Sequence, residues 1–233
     1  MSPSAETLFP VRGERGYDTA GVETFPWPVV AGYEDVHRWM DQGQAVHAAW
    51  QLRDVWEGLL KFLATLAVAD HMATAPAEDP RTNTLLKQLL KKDGLTNGTW
   101  ATLIEIALRN GPLAGARVPQ LGPLLFKSGK RERLYRLFMS DKDDFIHDDF
   151  ISWRNSCFGH GVFRKDLSNY AREALHWLDR LHEAFDLCRP VLQSLALESD
   201  GANWSLATNP VDTASCAVRL ALSRPRGCHL RSN

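Results

Sequence analysis

Apolar residues recur with a helical period through most of the chain. Between Val36 and Met72 there are no prolines and only two glycines, and the apolar residues stand three, four or six positions apart. This spacing predicts a long amphipathic helix kinked at Gly43, or two consecutive helices. The stripe consists of Val46, Trp50, Trp56, Leu60, Leu63 and Ala67.

Shorter helical patterns and a second long one follow along the chain. The predicted helices are Thr82–Lys92, Thr99–Leu108, about 130–139, about 141–158 and Asp166 to about Leu197. Pro190 falls inside the last of these and is expected to kink it. The segments 73–80 and 111–129 are rich in helix-breaking residues and predict loops. Since no strand pattern precedes residue 200, the predicted fold class is all-α, a helical bundle.

The two ends of the chain differ from this helical middle. Residues 1–33 contain four prolines and four glycines, which predicts an extended N-terminal arm. Residues 199–233 are dominated by Ser, Asn, Gly and Arg and are expected to be weakly ordered. Within them, Cys216–Leu222 fits either a strand or a poor helix. The predicted organisation is therefore an arm at 1–33, a helical domain at 34–198 and a tail at 199–233.

The composition narrows the class of protein. The 233 residues include 27 Lys and Arg against 28 Asp and Glu, a net charge of −1, which excludes a protein that coats nucleic acid by bulk charge. The four cysteines have no CxxC spacing and favour a reducing cytoplasm over a disulfide framework. The N-terminus lacks the features of a secretory signal, and the most apolar run, Leu59–Ala69, is about half a membrane span. We expect a cytoplasmic protein without a membrane partner.

One short segment carries residues suited to catalysis. Arg154, Asn155 and His160 lie close together in sequence, and Gly159 precedes the histidine. On an ideal helix six residues advance by about 600°, so Arg154 and His160 converge only if the helix ends between them. Gly159 permits such an end because glycine tolerates the left-handed conformation.

The three side chains together suit cleavage of RNA without a metal ion. An arginine fork binds phosphate, and a histidine with an ordinary pKa of about 6.5 exchanges protons near neutrality. An adjacent asparagine can orient the histidine or a substrate oxygen. The histidine would withdraw the proton of a 2′-hydroxyl, whose oxygen attacks the neighbouring phosphorus while the arginine stabilises the added charge.

The pattern Arg154-Asn155-x-x-x-x-His160, followed by Gly161, resembles the Arg-polar-x-x-x-x-His signature of the HEPN superfamily. Its members are small helical bundles, and many are metal-independent endoribonucleases of bacterial toxin, antiphage and CRISPR systems. The segment Leu52–Leu63 is similar to the first long helix of bacterial members. The resemblance implies a HEPN-like bundle in which Arg154 and His160 are the catalytic pair and Asn155 is auxiliary.

The same resemblance implies partners. The substrate is RNA, no cofactor is needed, and two copies form a homodimer whose motifs face one composite cleft. A partner protein of a defence system is a further expectation. A subset of the family has a tyrosine, two residues after the histidine, that a nucleotidyltransferase modifies; Val162 stands there, which disfavours membership of such a pair.

Basic residues flank the motif on both sides. If the chain is a ribonuclease, these residues are predicted to hold the RNA backbone: Lys130, Arg131, Arg133, Arg164 and Lys165, together with Lys127 and Arg136 of the first group. A solvated helix face is an equally good interpretation of these charges.

Other interpretations of the motif stay open. The chain could be a catalytically silent helical module that recruits or senses a partner protein or nucleotide. Arg154 could instead be salt-bridged to Asp148 or Asp149 at a structural helix end. Cys157 is expected to be a buried structural cysteine rather than a nucleophile.

Two further groups of residues are given structural roles. Arg53 and Glu57 are expected to form an i,i+4 salt bridge, although in such a bundle the pair could reach the cleft. Metal ligation is not predicted. His147, Asp148 and Asp149 are consecutive, and consecutive residues cannot all point one way on a helix. His176 and His182 of the last helix are six residues apart. Trp39, Trp50 and Trp56 are assigned to the core or to an interface before any role in base stacking.

Overall fold

The computed structural model is mostly helical, which confirms the predicted all-α class. By its internal contacts the chain divides into two compact units, Met1–Val191 and Leu192–Asn233. The structure describes residues 22, 25–76, 78–90, 94–111, 115–140, 148–158, 167–193, 195–199, 204–208 and 218–220.

The first unit is built from helices and one short hairpin. Its elements are α1 (Trp27–Asp41), α2 (Ala45–Thr74), α3 (Pro80–Leu89), α4 (Asn97–Leu108), α5 (Leu121–Leu125), β1 (Phe126–Lys127), β2 (Lys130–Arg131), α6 (Arg133–Phe138), α7 (Phe150–Phe158) and α8 (Leu167–Gln193). The last two residues of α8 fall in the second unit.

Helix α2 is the central element of this unit. It packs against both α1 and α4. Its inward face carries the fully buried Leu52, Trp56, Leu59, Leu60 and Leu63. Full burial of one such apolar side chain contributes about 1.5–3 kcal/mol, so this face supplies a large part of the driving force for folding.

Two glycines shape the α1–α2 pair. Gly43 has a φ of +67° and separates the two helices, so the sequence forms two consecutive helices and not one kinked helix. At Gly32, an added Cβ would lie 2.8 Å from Cγ2 of Val55, whose side chain is buried. Glycine at this position therefore allows α1 and α2 to approach closely.

The N-terminal arm predicted for residues 1–33 extends too far, because α1 begins at Trp27. Pro28 occupies the second position of the helix, where a backbone N–H has no partner within the helix and its loss costs little. The boundary at residue 34 thus falls inside a helix. Residues 1–21 of the predicted arm lie outside the described residues.

The structure differs from the predictions between residues 111 and 139. The predicted loop at 111–129 contains α5 and β1, and the helix predicted at about 130–139 is reduced to α6 behind strand β2. The two strands are antiparallel and joined by Ser128 and Gly129, which have φ values of 51° and 74°. A two-residue turn with positive φ is a common hairpin connection. Strands of two residues are too short to show an alternating pattern, so the hairpin was not predicted.

The last two helices are shorter than predicted. Helix α7 covers only residues 150–158 of the predicted 141–158, and residues 141–147 lie outside the described residues. Helix α8 continues past Pro190 but ends at Gln193, before the expected end near Leu197. Residues 195–199 form a strand instead.

The second unit contains a three-stranded antiparallel sheet. Its strands β3 (Leu195–Ser199), β4 (Trp204–Thr208) and β5 (Val218–Leu220) pair in the order β3-β4-β5. The tail was expected to be weakly ordered. The prediction that strand patterns are absent before residue 200 is wrong for β3, whereas β1 and β2 are too short to show such a pattern. Each strand of this three-stranded sheet has large apolar residues at alternate positions, the period of a strand: Leu195 and Leu197, Trp204 and Leu206, and Val218 and Leu220. Cys216–Leu222 contains β5, so the strand interpretation of that segment is correct.

The described helices were also compared with the requirements of a membrane span. Within the part of the chain that the structure describes, no helix is both long enough and apolar enough to cross a bilayer.

Candidate active site at the end of helix α7

The start of helix α7 is fixed by a buried carboxylate. Asp149 is 2% exposed and precedes the helix directly. Its Oδ1 accepts a hydrogen bond from the backbone N–H of Ser152 at 2.9 Å, and its Oδ2 accepts from the hydroxyls of Ser152 at 2.9 Å and Ser140 at 2.6 Å. The carboxylate therefore caps the helix and connects it to the chain preceding segment 141–147.

Replacing Asp149 by alanine is expected to lower the free energy of unfolding by about 1–2 kcal/mol, because the cap is lost and two hydroxyls lose their acceptor. Asp149→Asn keeps an acceptor oxygen and should cost less. Urea unfolding followed by far-UV circular dichroism measures both. Asp35→Ala, at an exposed ion pair on α1, is the control; an equal effect of Asp149→Ala and Asp35→Ala would contradict the capping role.

Aromatic rings at both ends of helix α7 pack against rings of α2. Near the start of α7, the ring of Phe150 stacks on Trp56 with 5.6 Å between ring centroids. At its end, the ring of Phe158 meets the edge of Trp50 with 5.2 Å between centroids. Between these two aromatic contacts of α7, Arg154 reaches Glu57 of α2.

Arg154 is held by a carboxylate on the neighbouring helix. Its Nε lies 3.5 Å from Oε1 of Glu57, and its Nη1 lies 3.4 Å from Oδ1 of the exposed Asn155. Glu57 is itself fixed, because its Oε1 accepts from Nδ2 of Asn97 at 3.0 Å and its Oε2 from Nζ of Lys61 at 3.3 Å. The two closer contacts hold the carboxylate, and the carboxylate holds the arginine.

The environment of Glu57 favours its ionised form. Burial by itself raises the pKa of this carboxyl, but the hydrogen bond from Asn97 and the positive charges of Lys61 and Arg154 outweigh burial and bring the pKa below its usual value near 4.5. Glu57 is therefore charged at neutral pH and stays paired with Arg154.

Because the pKa of Glu57 is lower in the folded chain, its contribution to stability is fully present above the unfolded pKa and is lost as the pH falls through the folded pKa. Glu57→Gln is expected to lower the free energy of unfolding by about 1 kcal/mol at pH 7 and by less at pH 3. Urea unfolding at both pH values tests this. The exposed Glu78→Gln is the control; a loss from Glu57→Gln that is the same at both pH values would contradict the charged pairing.

The arrangement leaves Arg154 able to bind an anion. Its side chain is 37% exposed, against 19% for Glu57. A guanidinium has five N–H donors, and the contacts with Glu57 and Asn155 engage only two of its nitrogens. A phosphate arriving from solvent can therefore be bound while Glu57 keeps the arginine in place.

Two predicted ion pairs are wrong in their partners. Arg53 pairs with Asp54 at 2.6 Å, and Glu57 pairs with Lys61, so the expected Arg53–Glu57 bridge does not form. Glu57 contacts Arg154 of the motif, while the alternative that the pair reaches a cleft stays a prediction. Arg154 does not pair with the aspartates before α7, since Asp148 binds His176 and Arg180 while Asp149 caps the helix.

The predicted RNA-binding residues on the hairpin side are engaged in different ways. Lys130 is exposed on β2. Arg131 is 14% exposed and pairs with Glu105 at 3.1 Å, so its guanidinium attaches the hairpin to α4. Arg133 pairs with Glu183 of α8 at 2.5 Å. The hairpin charges are thus partly neutralised by carboxylates of the protein, and contact with RNA remains a prediction.

Three predicted site residues lie outside the described residues: His160, Arg164 and Lys165. The structure therefore brings together Arg154 and Asn155 from the predicted motif. It adds Glu57, Asn97 and Lys61, which were not predicted as site residues. Glu57 and Lys61 have the i,i+4 spacing of a helical ion pair, with the glutamate first, and this order is the more favourable one. That signal could have identified the pair.

Cysteine and tryptophan residues near the motif match the predictions only in part. Cys157 is half-buried, with its Sγ 3.4 Å from Oε2 of Glu173, so the prediction that it is a buried cysteine is wrong. Trp56 is a core residue as predicted, whereas the surface of Trp50 is 36% exposed.

Among the residues that the structure describes, no three His, Cys, Asp or Glu side chains lie close enough together to bind a metal ion.

The chain was compared with known proteins. No family model, no curated protein and no solved structure matches it.

Proposed function

We propose that this chain is a metal-independent endoribonuclease of the HEPN type that acts in bacterial defence or as a toxin. The observation that carries the proposal is Arg154, anchored by Glu57 and partly exposed beside Asn155, four residues before the end of α7. In sequence the helix is followed by Gly159 and His160. The proposal combines this arginine with the motif's resemblance to the HEPN signature.

The reaction is an internal transesterification followed by product release. His160 takes the proton of a ribose 2′-hydroxyl while solvent protonates the leaving 5′-oxygen, or it donates its own proton to that oxygen while solvent takes the 2′ proton. The 2′-oxygen forms a bond to phosphorus as the bond from phosphorus to the 5′-oxygen breaks. Arg154 stabilises the charge that builds up on the phosphoryl oxygens, and Asn155 orients the histidine or a substrate oxygen. The products are a 2′,3′-cyclic phosphate and a 5′-hydroxyl.

Two copies of the chain are proposed to form one active site together. In a homodimer the two motifs would face one composite cleft. The basic residues that line this cleft would include Lys130, Arg164 and Lys165. Association also provides a simple check, because a chain that is strictly monomeric at micromolar concentration during sedimentation contradicts the composite site.

A catalytically silent interaction module is the second candidate. It is favoured by the contact of Arg154 with Glu57, since an arginine paired with a carboxylate of its own chain can serve structure alone. In that case the chain would recruit a partner protein or nucleotide and would leave RNA intact.

Incubation of the purified full chain with end-labelled RNA in excess EDTA separates the two candidates. The endoribonuclease proposal expects fragments that carry 2′,3′-cyclic phosphate and 5′-hydroxyl ends, while an all-2′-O-methyl RNA of the same sequence stays intact. Cleavage that requires Mg²⁺, or that proceeds equally on the methylated strand, would contradict the proposed mechanism.

A further inference from the structure

Arg53 of α2 lies beside two aromatic rings that come from two helices and contact each other. The carbon at the centre of its guanidinium is 4.3 Å from the ring centroid of Trp50 on α2 and 5.5 Å from that of Phe158 on α7. Both separations are within the range in which a cation is attracted to an aromatic face. The guanidinium and the two rings therefore form one cluster that joins α2 and α7.

The guanidinium is also held by a carboxylate, that of the neighbouring Asp54. Its Nε and Nη2 donate to Oδ1 of Asp54 at 2.9 and 2.6 Å. The Arg53 side chain is 18% exposed, whereas that of Asp54 is 52% exposed. The arginine is thus the more enclosed partner of this pair, and its cationic group is held close to both rings.

Phe158 is the half-buried last residue of α7 and contacts two tryptophan rings. Its ring meets the edge of Trp50 and also that of Trp153, each with 5.2 Å between centroids. Phe158 lies one helical turn after Arg154, about 6 Å further along the helix axis. Any movement of Phe158 away from α2 would therefore change the position of the turn that carries Arg154 and Asn155.

We infer that Arg53 is a positioning residue that fixes the last turn of α7, and with it Arg154, through its contact with Phe158. The catalytic consequence rests on the proposed function, whereas the structural contact does not. Asp149 fixes the start of the same helix, so the helix is attached at both ends. Arg53 acts through Phe158 and makes no contact with substrate in this assignment.

The test compares Arg53→Ala with Arg53→Lys and with Arg38→Ala. Arg38 is a matched control because it is also an arginine of a helix, lies 5.9 Å from the Trp39 ring and pairs with an aspartate, but it is on α1 and more exposed. Hydrogen–deuterium exchange of the peptide covering residues 154–158 is measured in the full-length chain, together with far-UV circular dichroism as a check on folding.

The inference expects exchange in this peptide to be about fivefold faster in Arg53→Ala. Arg53→Lys, which keeps the cation, should restore most of the protection, and Arg38→Ala should leave it unchanged. Unchanged exchange in Arg53→Ala, or equal acceleration across all helices, would overturn the inference.

Kinetics distinguish positioning from direct binding of RNA. In single-turnover cleavage, Arg53→Ala should lower the maximal rate about tenfold and leave the RNA concentration for half-maximal rate within about twofold. A weaker apparent affinity with an unchanged maximal rate would make Arg53 an RNA ligand and overturn the positioning role. If the wild-type chain cleaves no RNA, the proposed function fails, while the exchange experiment still decides whether Arg53 fixes α7.

Discussion

Replacing Arg154 by alanine is expected to lower the rate of metal-independent RNA cleavage by about 100- to 1,000-fold. A donor directed at the charge that develops in a transition state has an effect of this size. The guanidinium would stabilise the phosphoryl oxygens more strongly as the 2′-oxygen attacks than before, so the loss should fall mainly on the maximal rate. Arg154→Lys keeps the charge but not the fork and should lose about tenfold.

The fold should survive this change, which makes the result interpretable. Arg154 is more than one-third exposed, and without it Glu57 still accepts from Asn97 and Lys61. Initial rates with labelled RNA in excess EDTA, measured for proteins with matching circular dichroism spectra, provide the comparison. Arg38→Ala, an exposed arginine on α1, is the control. A rate for Arg154→Ala within threefold of wild type would remove the arginine from the mechanism.

Replacing Trp56 by alanine is expected to lower the free energy of unfolding by about 3–5 kcal/mol, as observed when large buried aromatic residues are truncated. Its indole is fully buried against the rings of Phe138, Phe150 and Trp177, and its Nε1 donates to the backbone carbonyl of Trp177 at 3.2 Å. The truncation opens a cavity where α2, α6, α7 and α8 meet. It also removes the ring against which the start of α7 packs.

Trp27 provides a matched control for this experiment. It is a tryptophan at the first position of α1 with 78% of its surface exposed, so Trp27→Ala should change stability by less than about 0.5 kcal/mol. Trp56→Phe should cost an intermediate amount, because the ring contacts partly remain while the carbonyl of Trp177 loses its donor. Urea unfolding of the full chain measures all three. Equal losses for the two alanine variants would contradict the assignment of Trp56 to the core.

The long helices were predictable because their buried stripes are long. Helix α2 repeats its apolar residues over eight turns, and its packing against both α1 and α4 retains that period. The start of α1 was missed because Pro28 suggested an extended arm, although proline is well tolerated in the first turn of a helix. The end of α8 was misplaced because Leu195 of β3 stands three residues after Leu192 and so continues the helical spacing of apolar residues.

The candidate site was only partly predictable from the sequence. Arg154 and Asn155 are adjacent and could be selected on chemistry alone. The contact of Arg154 with Glu57 joins residues 97 positions apart, and no local pattern reports such a contact. Arg53 and Lys61 have the same spacing from Glu57, and the favourable order with the glutamate first is the local signal that selects Lys61. Arg53 faces the ring of Phe158, which is also remote in sequence.

Basic residues that are close in sequence near the hairpin do not form an open basic surface in the folded chain. Arg131 and Arg133 belong to one basic run, and such a run suggests a surface for RNA. In the folded chain their guanidinium groups meet Glu105 and Glu183, which lie on two other helices. Net charge along a segment is therefore a poor guide to the charge that a ligand would encounter.

The most direct test of the central claim is cleavage of end-labelled RNA in excess EDTA by wild-type protein and by His160→Ala, purified in parallel. A histidine acting as general acid or base contributes about 100- to 10,000-fold, so the wild type should cleave the RNA and the variant should be slower by at least about 100-fold. Cleavage at equal rates by the two proteins, or intact RNA with both, would contradict the proposal that this motif cleaves RNA.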